Sequence, residues 1–328
     1  MSVYDDYFRT LIRQLWDYVH ANRGAFMGLL ETDERSDTRP PVFRSPFAER
    51  NILLPPLASS AHHQTVEATL PGKERHRFFG SMRSSQALAQ SVFGNLIAAG
   101  KAALLEGLET EEGLPAFFDG VGEAKLQLEH AVDHLGEPRP TSIDLWVEGC
   151  GRVAVECKLT ETEFGICSRP RLRPSDANYT HDYCNGDYLQ QQARRSRCSL
   201  TEIGARYWSH IPELFSWDNA TDWRPCPLAD TYQLVRNILA ACITLDQRVD
   251  TANAHALVIY DARNPAYQDD GEANRQWGAV KSALRNPENL RSCSWQTVIS
   301  HLSRDPEMHW MVDALNAKYG FDQAPPRK

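Results

Sequence analysis

Two carboxylates in the middle of the chain are spaced so that they could share a metal ion. Asp144 lies in residues 142–148 and Glu156 in residues 152–158, and in both stretches polar and apolar residues alternate. Such alternation is typical of β-strands, and the short glycine-containing loop around Cys150 predicts a β-hairpin. With the hairpin centred on Cys150, Asp144 lies directly opposite Glu156, where like charges repel. A divalent cation would offset this repulsion best, and Mg²⁺ is commonly bound by one or two carboxylates.

Neighbouring groups could complete such a site. Lys158 projects from the same strand face as Glu156, about 6–7 Å further along. The backbone carbonyl of Cys157 is a candidate metal ligand, and Glu129 on the preceding predicted strand could add a third carboxylate. This set suits metal-assisted hydrolysis of a phosphodiester, in which the ion lowers the pKa of bound water and neutralises developing charge. The alternative is an ordinary solvated strand face, since Glu-x-Lys by itself is a common sequence.

The surrounding pattern predicts the elements that must hold these residues. Helical periodicity is found at about 83–99 and again at about 229–246, strand alternation at 125–132, and a buried apolar strand at 254–260. With the hairpin included, the order is helix, three strands, helix, strand. This order predicts an α/β protein with a mixed central sheet rather than a repeated βαβ fold.

Residues outside this core are predicted to be additions to it. An amphipathic helix is expected at 4–20, an irregular proline-rich connection at 31–73, and mainly helical structure after 266, with Pro306 in the first turn of a last helix. The predicted organisation is an N-terminal segment 1–72, a core 73–265 with an irregular insertion 160–228, and a C-terminal helical extension 266–328.

The core resembles the PD-(D/E)xK nuclease superfamily, whose element order is αβββαβ. Asp144 followed by Glu156-Cys157-Lys158 matches its motif, although Ile143 stands where the motif has proline. Further stretches within about 80–265 resemble a family of restriction endonucleases in that superfamily. These stretches are Ser84-Ser-Gln-Ala87, Thr141-Ser-Ile-Asp144, Glu156-Cys-Lys-Leu-Thr-Glu161 with nearby Cys167, Gly186-Asp-Tyr-Leu-Gln190 and Gln233-Leu-Val-Arg-Asn237.

The resemblance implies a restriction-endonuclease-like fold and a metal-dependent endonuclease that hydrolyses DNA phosphodiester bonds, with a role in defence. It implies that Asp144 and Glu156 bind Mg²⁺, for which Mn²⁺ could substitute, and that Lys158 positions or activates the attacking water. Glu129 corresponds to an upstream acid that many members carry. Two alternatives stay open: a catalytically silent nucleic-acid-binding protein on a nuclease scaffold, and a metal-dependent phosphohydrolase of smaller substrates.

Candidate substrate contacts lie outside the motif. Gln233 and Arg236 are three residues apart on a predicted helix and could contact substrate phosphate, and Glu161 and the glutamines 190–192, including Gln191, are weaker candidates. Arginine clusters with interspersed tyrosines suit phosphate contact and base stacking, whereas charge runs are usually just solvated. The basic clusters are Lys73, Arg75, His76 and Arg77; Arg169, Arg171 and Arg173; and Arg194, Arg195 and Arg197, with Tyr179, Tyr183 and Tyr188 between the last two.

The composition limits how the chain could hold DNA. Its 328 residues carry a formal net charge of −8, which argues against binding nucleic acid through overall positive charge. Local basic patches would have to make the contacts. A homodimer would match the two-fold symmetry of a palindromic DNA site, but the sequence leaves the oligomeric state open.

The cysteines and the hydropathy pattern predict a cytoplasmic protein without a membrane segment. No signal peptide and no membrane-spanning stretch is recognisable, and eight cysteines without a C-x-x-C pair are expected to be reduced. Cys167, Cys184 and Cys198 could form a zinc site, although their irregular spacing disfavours it. His130 and His134 have the spacing of a zinc pair on a helix, but the alternation there predicts a strand.

Overall fold

A five-stranded mixed sheet forms the centre of the computed structural model, which describes residues 2–323 except positions 139, 141, 178, 182, 192 and 193. Thr141 and Gln192, quoted above in two motifs, therefore lie outside the described residues. The strands adjoin in chain order, the first two pairings being antiparallel and the last two parallel. The strands are Lys125–Ala131 (β1), Ser142–Glu148 (β2), Arg152–Cys157 (β3), Ala254–Tyr260 (β4) and Leu290–Ser294 (β5).

Helices pack around this sheet, and the predicted αβββαβ order is present. The helix predicted at 83–99 is built from α4 and α5 with a π-helical turn, Gln90–Gly94, between them. The helices are Val3–Ala21 (α1), Arg23–Phe26 (α2), Ser60–Ala68 (α3), Ser85–Ala89 (α4), Asn95–Ala98 (α5), Ser199–Glu202 (α6), Tyr207–Leu214 (α7), Leu228–Cys242 (α8), Glu272–Ala283 (α9), Trp295–Leu302 (α10) and His309–Tyr319 (α11).

The hairpin has the register predicted from its turn. Leu145 pairs with Val155 and Trp146 with Ala154, so the next position along places Asp144 opposite Glu156. On the other side of β2, Leu128 pairs with Leu145 and His130 with Ile143. Glu129 therefore falls opposite Asp144, and three carboxylates line up across three strands.

The pleat of β1 is interrupted at Glu129, whose φ of 48° lies in the left-handed region. Leu128 packs into one buried cluster, whereas Val132 packs into a second cluster. The sequence pattern predicted that the two share a face, and that prediction was wrong. A left-handed residue between them breaks the strict alternation on which it depended.

The N-terminal helix α1 buries the apolar stripe predicted for it, including Leu11, Leu15 and Trp16, and it packs against α11. The Tyr7 hydroxyl donates to the carbonyl of Leu159, just beyond β3. The proline-rich stretch that follows α1 is not wholly irregular, because it contains α3. This helix buries only Val66, so it leaves little hydrophobic periodicity in the sequence.

The C-terminal residues contribute a strand as well as helices. Leu290–Ser294 pairs in parallel with β4 and completes the sheet, where the sequence predicted mainly helical structure. Five residues that include Arg291 and Ser292 are too few and too polar to show a strand period. Pro306 opens a short 3₁₀ turn, Pro306–Met308, directly before α11. Within the described residues, no helix is long and apolar enough to cross a membrane.

Candidate active site

An open cleft of about 650 Å³ lies where β3 ends, and its lining includes Glu129, Asp144, Glu161, Gln233 and Arg236. The fold thus brings together five of the residues singled out in the sequence. Two more, Glu156 and Lys158, lie beneath the cleft surface, where both contact Gln233.

Glu156 and Lys158 form a buried ion pair, with exposed fractions of 3% and 6%. The Lys158 Nζ lies 2.9 Å from the Glu156 Oε1. Burial by itself would lower the pKa of Lys158, but the nearby charges of Glu156, Glu161 and Asp144 outweigh it, so the pKa is raised. The lysine is therefore held as a cation next to the carboxylates.

Helix α8 fixes this pair in place through two amide side chains. The Gln233 amide nitrogen donates to Glu156 at 2.6 Å, and the Gln233 oxygen accepts from Lys158 at 2.8 Å. The Asn237 amide donates to the other oxygen of Glu156 at 2.9 Å. Residues four apart lie on one face of a helix, so one turn of α8 supplies both contacts. Asn237 ends a stretch quoted for the family resemblance, but we did not predict it as a site residue.

Of Glu129, Asp144 and Glu156, Asp144 is the carboxylate whose negative charge is offset least by hydrogen bonds and ion pairs. It accepts one hydrogen bond from the backbone N–H of Cys157 at 2.7 Å, and its side chain is only partly accessible from the cleft. Burial raises the pKa of Asp144 well above its ordinary value, and the charges of Glu156 and Glu129 raise it further, against the opposing effect of Lys158. A bound cation would remove this excess of negative charge.

Glu129 is held at the cleft by α4 and β2. Its carboxylate accepts hydrogen bonds from the Gln86 amide at 2.7 Å and from the Ser142 hydroxyl. Burial and the charge of Glu156 raise the pKa of Glu129, although these two hydrogen bonds and Arg236 partly counteract the shift. Gln86 belongs to the Ser-Ser-Gln-Ala stretch, but nothing in that stretch indicated that it would contact an acid.

Glu161 and Arg236 form hydrogen bonds with the walls of the cleft. Glu161 accepts hydrogen bonds from the Ser85 hydroxyl at 2.8 Å and from the backbone N–H of Leu159 at 2.7 Å. Arg236 donates to the Ser142 carbonyl at 3.0 Å and to the side-chain oxygen of Asn237 at 2.8 Å. Both therefore shape the site as well as lining it.

The substrate-binding candidates in the insertion do not line this cleft. Arg194 is buried and donates to the Ser199 hydroxyl at 2.9 Å, whereas Arg195 is exposed and lies 3.6 Å from Glu202. Gln191 donates to the side-chain oxygen of Asn185 at 2.9 Å. Their roles in substrate binding stay predictions.

The insertion at 169–197 is not the continuous basic and aromatic surface that the sequence indicated. Arg169 is only 2% exposed, and Tyr188 stacks on Trp208 with ring centroids 3.6 Å apart. An arginine stem or a tyrosine ring can be buried when its polar end finds a hydrogen-bond partner, as Arg169 does in the Thr180 hydroxyl at 3.1 Å, and the sequence alone does not reveal such partners. Tyr207 and Trp208 are also buried.

A different basic and aromatic surface borders the cleft. His76, Phe78 and Arg83 are among its lining residues, and Phe78 is 57% exposed. The Arg77 guanidinium lies 4.5 Å from the centroid of the Phe78 ring. This surface, residues 76–83, includes part of the first basic cluster noted in the sequence.

The described His, Cys, Asp and Glu side chains form no group of three or more that could hold a metal ion as they stand. The three-carboxylate set is therefore a prediction about the ion-bound state. The carbonyl of Cys157 also stays a predicted ligand, since only its N–H contact with Asp144 and its buried side chain are seen. His130 lies on β1 and stacks on Trp146 with centroids 5.0 Å apart, which is not the helical geometry of a zinc pair.

Comparison with models of protein families identifies a family to which the chain is similar. The model of a family described as restriction endonuclease associating with ARP, REase-ARP, matches residues 28–320. This stretch contains all five strands and every cleft residue named above. No curated protein and no solved structure matches the chain.

Proposed function

This chain belongs to the REase-ARP family of restriction endonucleases, and on that basis we propose that it is a Mg²⁺-dependent endonuclease that hydrolyses DNA phosphodiester bonds. The observation that carries the proposal is the arrangement beneath the cleft. Asp144 and Glu156 face each other across the hairpin, and Lys158 is ion-paired to Glu156. We also propose that the cleavage serves defence, the usual task of restriction enzymes.

The residues present fit a hard divalent cation. Asp144 and Glu156 offer carboxylate oxygens, with Glu129 as a third acid and the Cys157 carbonyl as a further oxygen. The negative charge around Asp144 lacks a full counter-charge, and oxygen ligands suit Mg²⁺ and Mn²⁺ alike. When bound, the ion would lower the pKa of a water molecule and neutralise charge developing on the phosphate.

Lys158 contributes positive charge rather than base catalysis in this proposal. Its raised pKa keeps it protonated near neutral pH, so its Nζ can donate a hydrogen bond to the attacking water or to a phosphate oxygen. Gln233 holds Lys158 and Glu156 at fixed positions relative to each other. Such preorganised charge stabilises the transition state without rearrangement during the reaction.

The surface 76–83 is the proposed site of DNA contact. Arg83 is exposed at the cleft, and the exposed Phe78 ring with the Arg77 guanidinium against it provides a face for a nucleobase. Arginine contacts with phosphate and aromatic stacking with bases are both common in nucleic-acid binding. A local patch of this kind is compatible with a net charge of −8.

Plasmid cleavage tests the proposal. Supercoiled and linear DNA are incubated with the protein in Mg²⁺, in Mn²⁺ and in EDTA, alongside Lys158→Ala and the control Lys101→Ala, an ion-paired lysine away from the cleft. We expect cutting in either metal, none in EDTA, and a loss of roughly 10²–10⁴-fold only for Lys158→Ala.

Other results would assign a different function. DNA binding without cutting under all these conditions would indicate a catalytically silent scaffold. Hydrolysis of a small phosphodiester such as bis(p-nitrophenyl) phosphate, without binding or cutting of DNA, would indicate a phosphohydrolase of smaller substrates. Either result would overturn the endonuclease proposal.

A further inference from the structure

Four of the eight cysteines meet around one small cavity in the insertion 160–228. The cavity measures about 20 Å³, which is room for roughly one water-sized sphere. Burial raises the pKa of the Cys226 thiol, and the charges of Cys198, Cys167 and Cys184 raise it further, so the four thiols influence one another. The four cysteines that line it are Cys167, Cys184, Cys198 and Cys226.

Backbone N–H groups near these four cysteines favour negative charge on the sulfur atoms. The N–H of Gly186 donates to the sulfur of Cys184 at 3.2 Å, and the Cys184 thiol donates to the Asp187 carbonyl at 3.5 Å. Burial raises the pKa of the Cys167, Cys198 and Cys226 thiols, and neighbouring backbone N–H groups partly oppose this effect: that of Arg169 for Cys167, those of Thr201 and Leu200 for Cys198, and that of Leu228 for Cys226. A backbone N–H stabilises a sulfur that carries negative charge, as a metal-bound thiolate does.

The other cysteines are held differently. The thiols of Cys150 and Cys242 donate to the backbone carbonyls of Asp119 and Ala254. Cys157 and Cys293 are packed among the apolar side chains of the first buried cluster. The shared cavity therefore distinguishes these four cysteines from the others.

We propose that these four cysteines bind one Zn²⁺ ion as a structural Cys₄ site. Zinc with four thiolates is tetrahedral, with zinc–sulfur distances of about 2.3 Å. The described cysteines do not form a group that could hold a metal ion as they stand. The sulfur atoms must therefore move towards the cavity when the ion binds. All eight cysteines are free, and no disulfide competes for them.

The dimensions favour a single ion over a larger cofactor. A cavity with room for one water-sized sphere suits one Zn²⁺, whereas an iron–sulfur cluster, which also takes four thiolates, contains several iron and sulfide atoms. The spacings between the four cysteines are long and unequal, so they match no zinc-binding sequence motif. Only the fold brings these residues together.

The site would hold the loop after β3 against the start of α8. The N–H of Cys167 donates to the Ala229 carbonyl at 2.9 Å, and the N–H of Cys226 donates to the Gly186 carbonyl at 2.9 Å. Gly165, two residues before Cys167, donates its N–H to Gln233 at 3.0 Å. An ion here would link an insertion with little regular structure to the helix that positions Glu156 and Lys158, and would stabilise both.

Metal analysis of the intact chain tests the inference without reference to nuclease activity. We expect one zinc per purified wild-type chain, and thiolate-to-metal charge-transfer bands after exchange for Co²⁺. Cys226→Ser is expected to lose most of the zinc and these bands. The matched control Cys242→Ser, a buried cysteine outside the cavity, is expected to retain both.

The zinc content of the wild-type chain tests the inference even if Cys226→Ser does not fold. A folded wild-type chain without stoichiometric metal after expression in zinc-supplemented medium would overturn the inference. Iron together with sulfide would overturn the assignment to zinc. Zinc retained in full by a folded Cys226→Ser chain would show that the ion lies elsewhere.

Discussion

Asp144 is the residue at which stability and the proposed chemistry conflict most directly. Its carboxylate lies at the cleft opposite two other acids and accepts a hydrogen bond from the backbone N–H of Cys157. In the absence of a cation the folded chain must tolerate that repulsion. Residues that serve a reaction are often locally unfavourable for stability in this way.

Asp144→Asn is therefore expected to stabilise the metal-free protein while abolishing Mg²⁺-dependent cleavage. The amide oxygen can still accept the N–H of Cys157, but the repulsion is gone. We expect Tm in EDTA to rise by about 2–4 °C for each kcal/mol gained, measured by thermal melting. Added Mg²⁺ is expected to raise Tm for the wild type only.

The exposed Asp119 provides the control for this substitution, and Asp119→Asn is expected to leave Tm unchanged. A lower Tm for Asp144→Asn in EDTA would mean that the carboxylate stabilises the fold. The charge argument for a cation at this position would then fail.

Arg83 permits a separate test of the DNA-binding surface. Arg83→Gln is expected to weaken DNA binding and to reduce the slope of log Kobs against log salt by about one, because one phosphate contact is lost. Fluorescence anisotropy across a salt series measures the slope. Arg304→Gln, at an exposed arginine that does not line the cleft, serves as the control. Equal slopes for the two variants would exclude a phosphate contact by Arg83.

At the level of elements, the site depends on how β3 and α8 meet. The strand carries Glu156 and leads into Lys158, and one turn of the helix supplies Gln233, Arg236 and Asn237. The amides of Gln233 and Asn237 occupy hydrogen-bonding positions on Glu156 that water would otherwise take. The helix thus orients the buried carboxylate and is more than a packing surface for the sheet.

Gln233→Ala is expected to reduce cleavage roughly 10–100-fold, in the range seen when groups that orient metal ligands are removed. The Mg²⁺ concentration for half-maximal activity should rise because Glu156 is less well oriented, whereas DNA affinity should be unchanged. Single-turnover cleavage across a Mg²⁺ titration measures both effects. Asp230→Ala, at an exposed position on the same helix, controls for loss of helix stability. A variant with unchanged Mg²⁺ dependence would contradict this positioning role.

Across the described residues, the N-terminal and C-terminal helices contribute to one buried cluster. That cluster extends from Tyr7 in α1 to Phe321 after α11, and it packs against the β3 face that carries Val153 and Val155. Lys318, which is 1% exposed, donates to the backbone and side-chain oxygens of Asn51 at 2.6 and 2.7 Å. The terminal helices therefore support the strand that leads to Lys158.

Lys318 is expected to make the stability of the protein depend on pH. Burial lowers its pKa to about 7, below the ordinary value of about 10.4. A depressed pKa in the fold means that this contribution to stability is fully present above pH 10.4 and is lost as the pH falls towards 7. The free energy of unfolding of the wild type relative to Lys318→Met should therefore increase from pH 7 to pH 10 by up to about 1.4 kcal/mol per pH unit, and the difference in Tm should increase with it.

Thermal melting across that pH range provides the measurement, with Lys125→Met at an exposed lysine as the control. A constant difference between wild type and Lys318→Met would show that Lys318 titrates normally in the folded protein.

Local patterns in the sequence were enough to determine the hairpin, its register and the helix that crosses to the next strand. A short turn sets which residues of two strands face each other, so the opposition of Asp144 and Glu156 could be predicted from numbering alone. The periodicity of α8 likewise placed Gln233 and Arg236 on one helix near the site. These features depend on residues close together in the chain.

Only the tertiary structure decided which groups compensate the buried charges and which basic residues are free to contact a substrate. Asn237 and Gln86 reach Glu156 and Glu129 from distant elements, Arg169 is buried where an exposed patch was expected, and Leu290–Ser294 joins the sheet. The four cysteines of the insertion likewise meet only after folding. Burial and hydrogen-bond partners depend on packing between remote segments, which composition, spacing and periodicity do not encode.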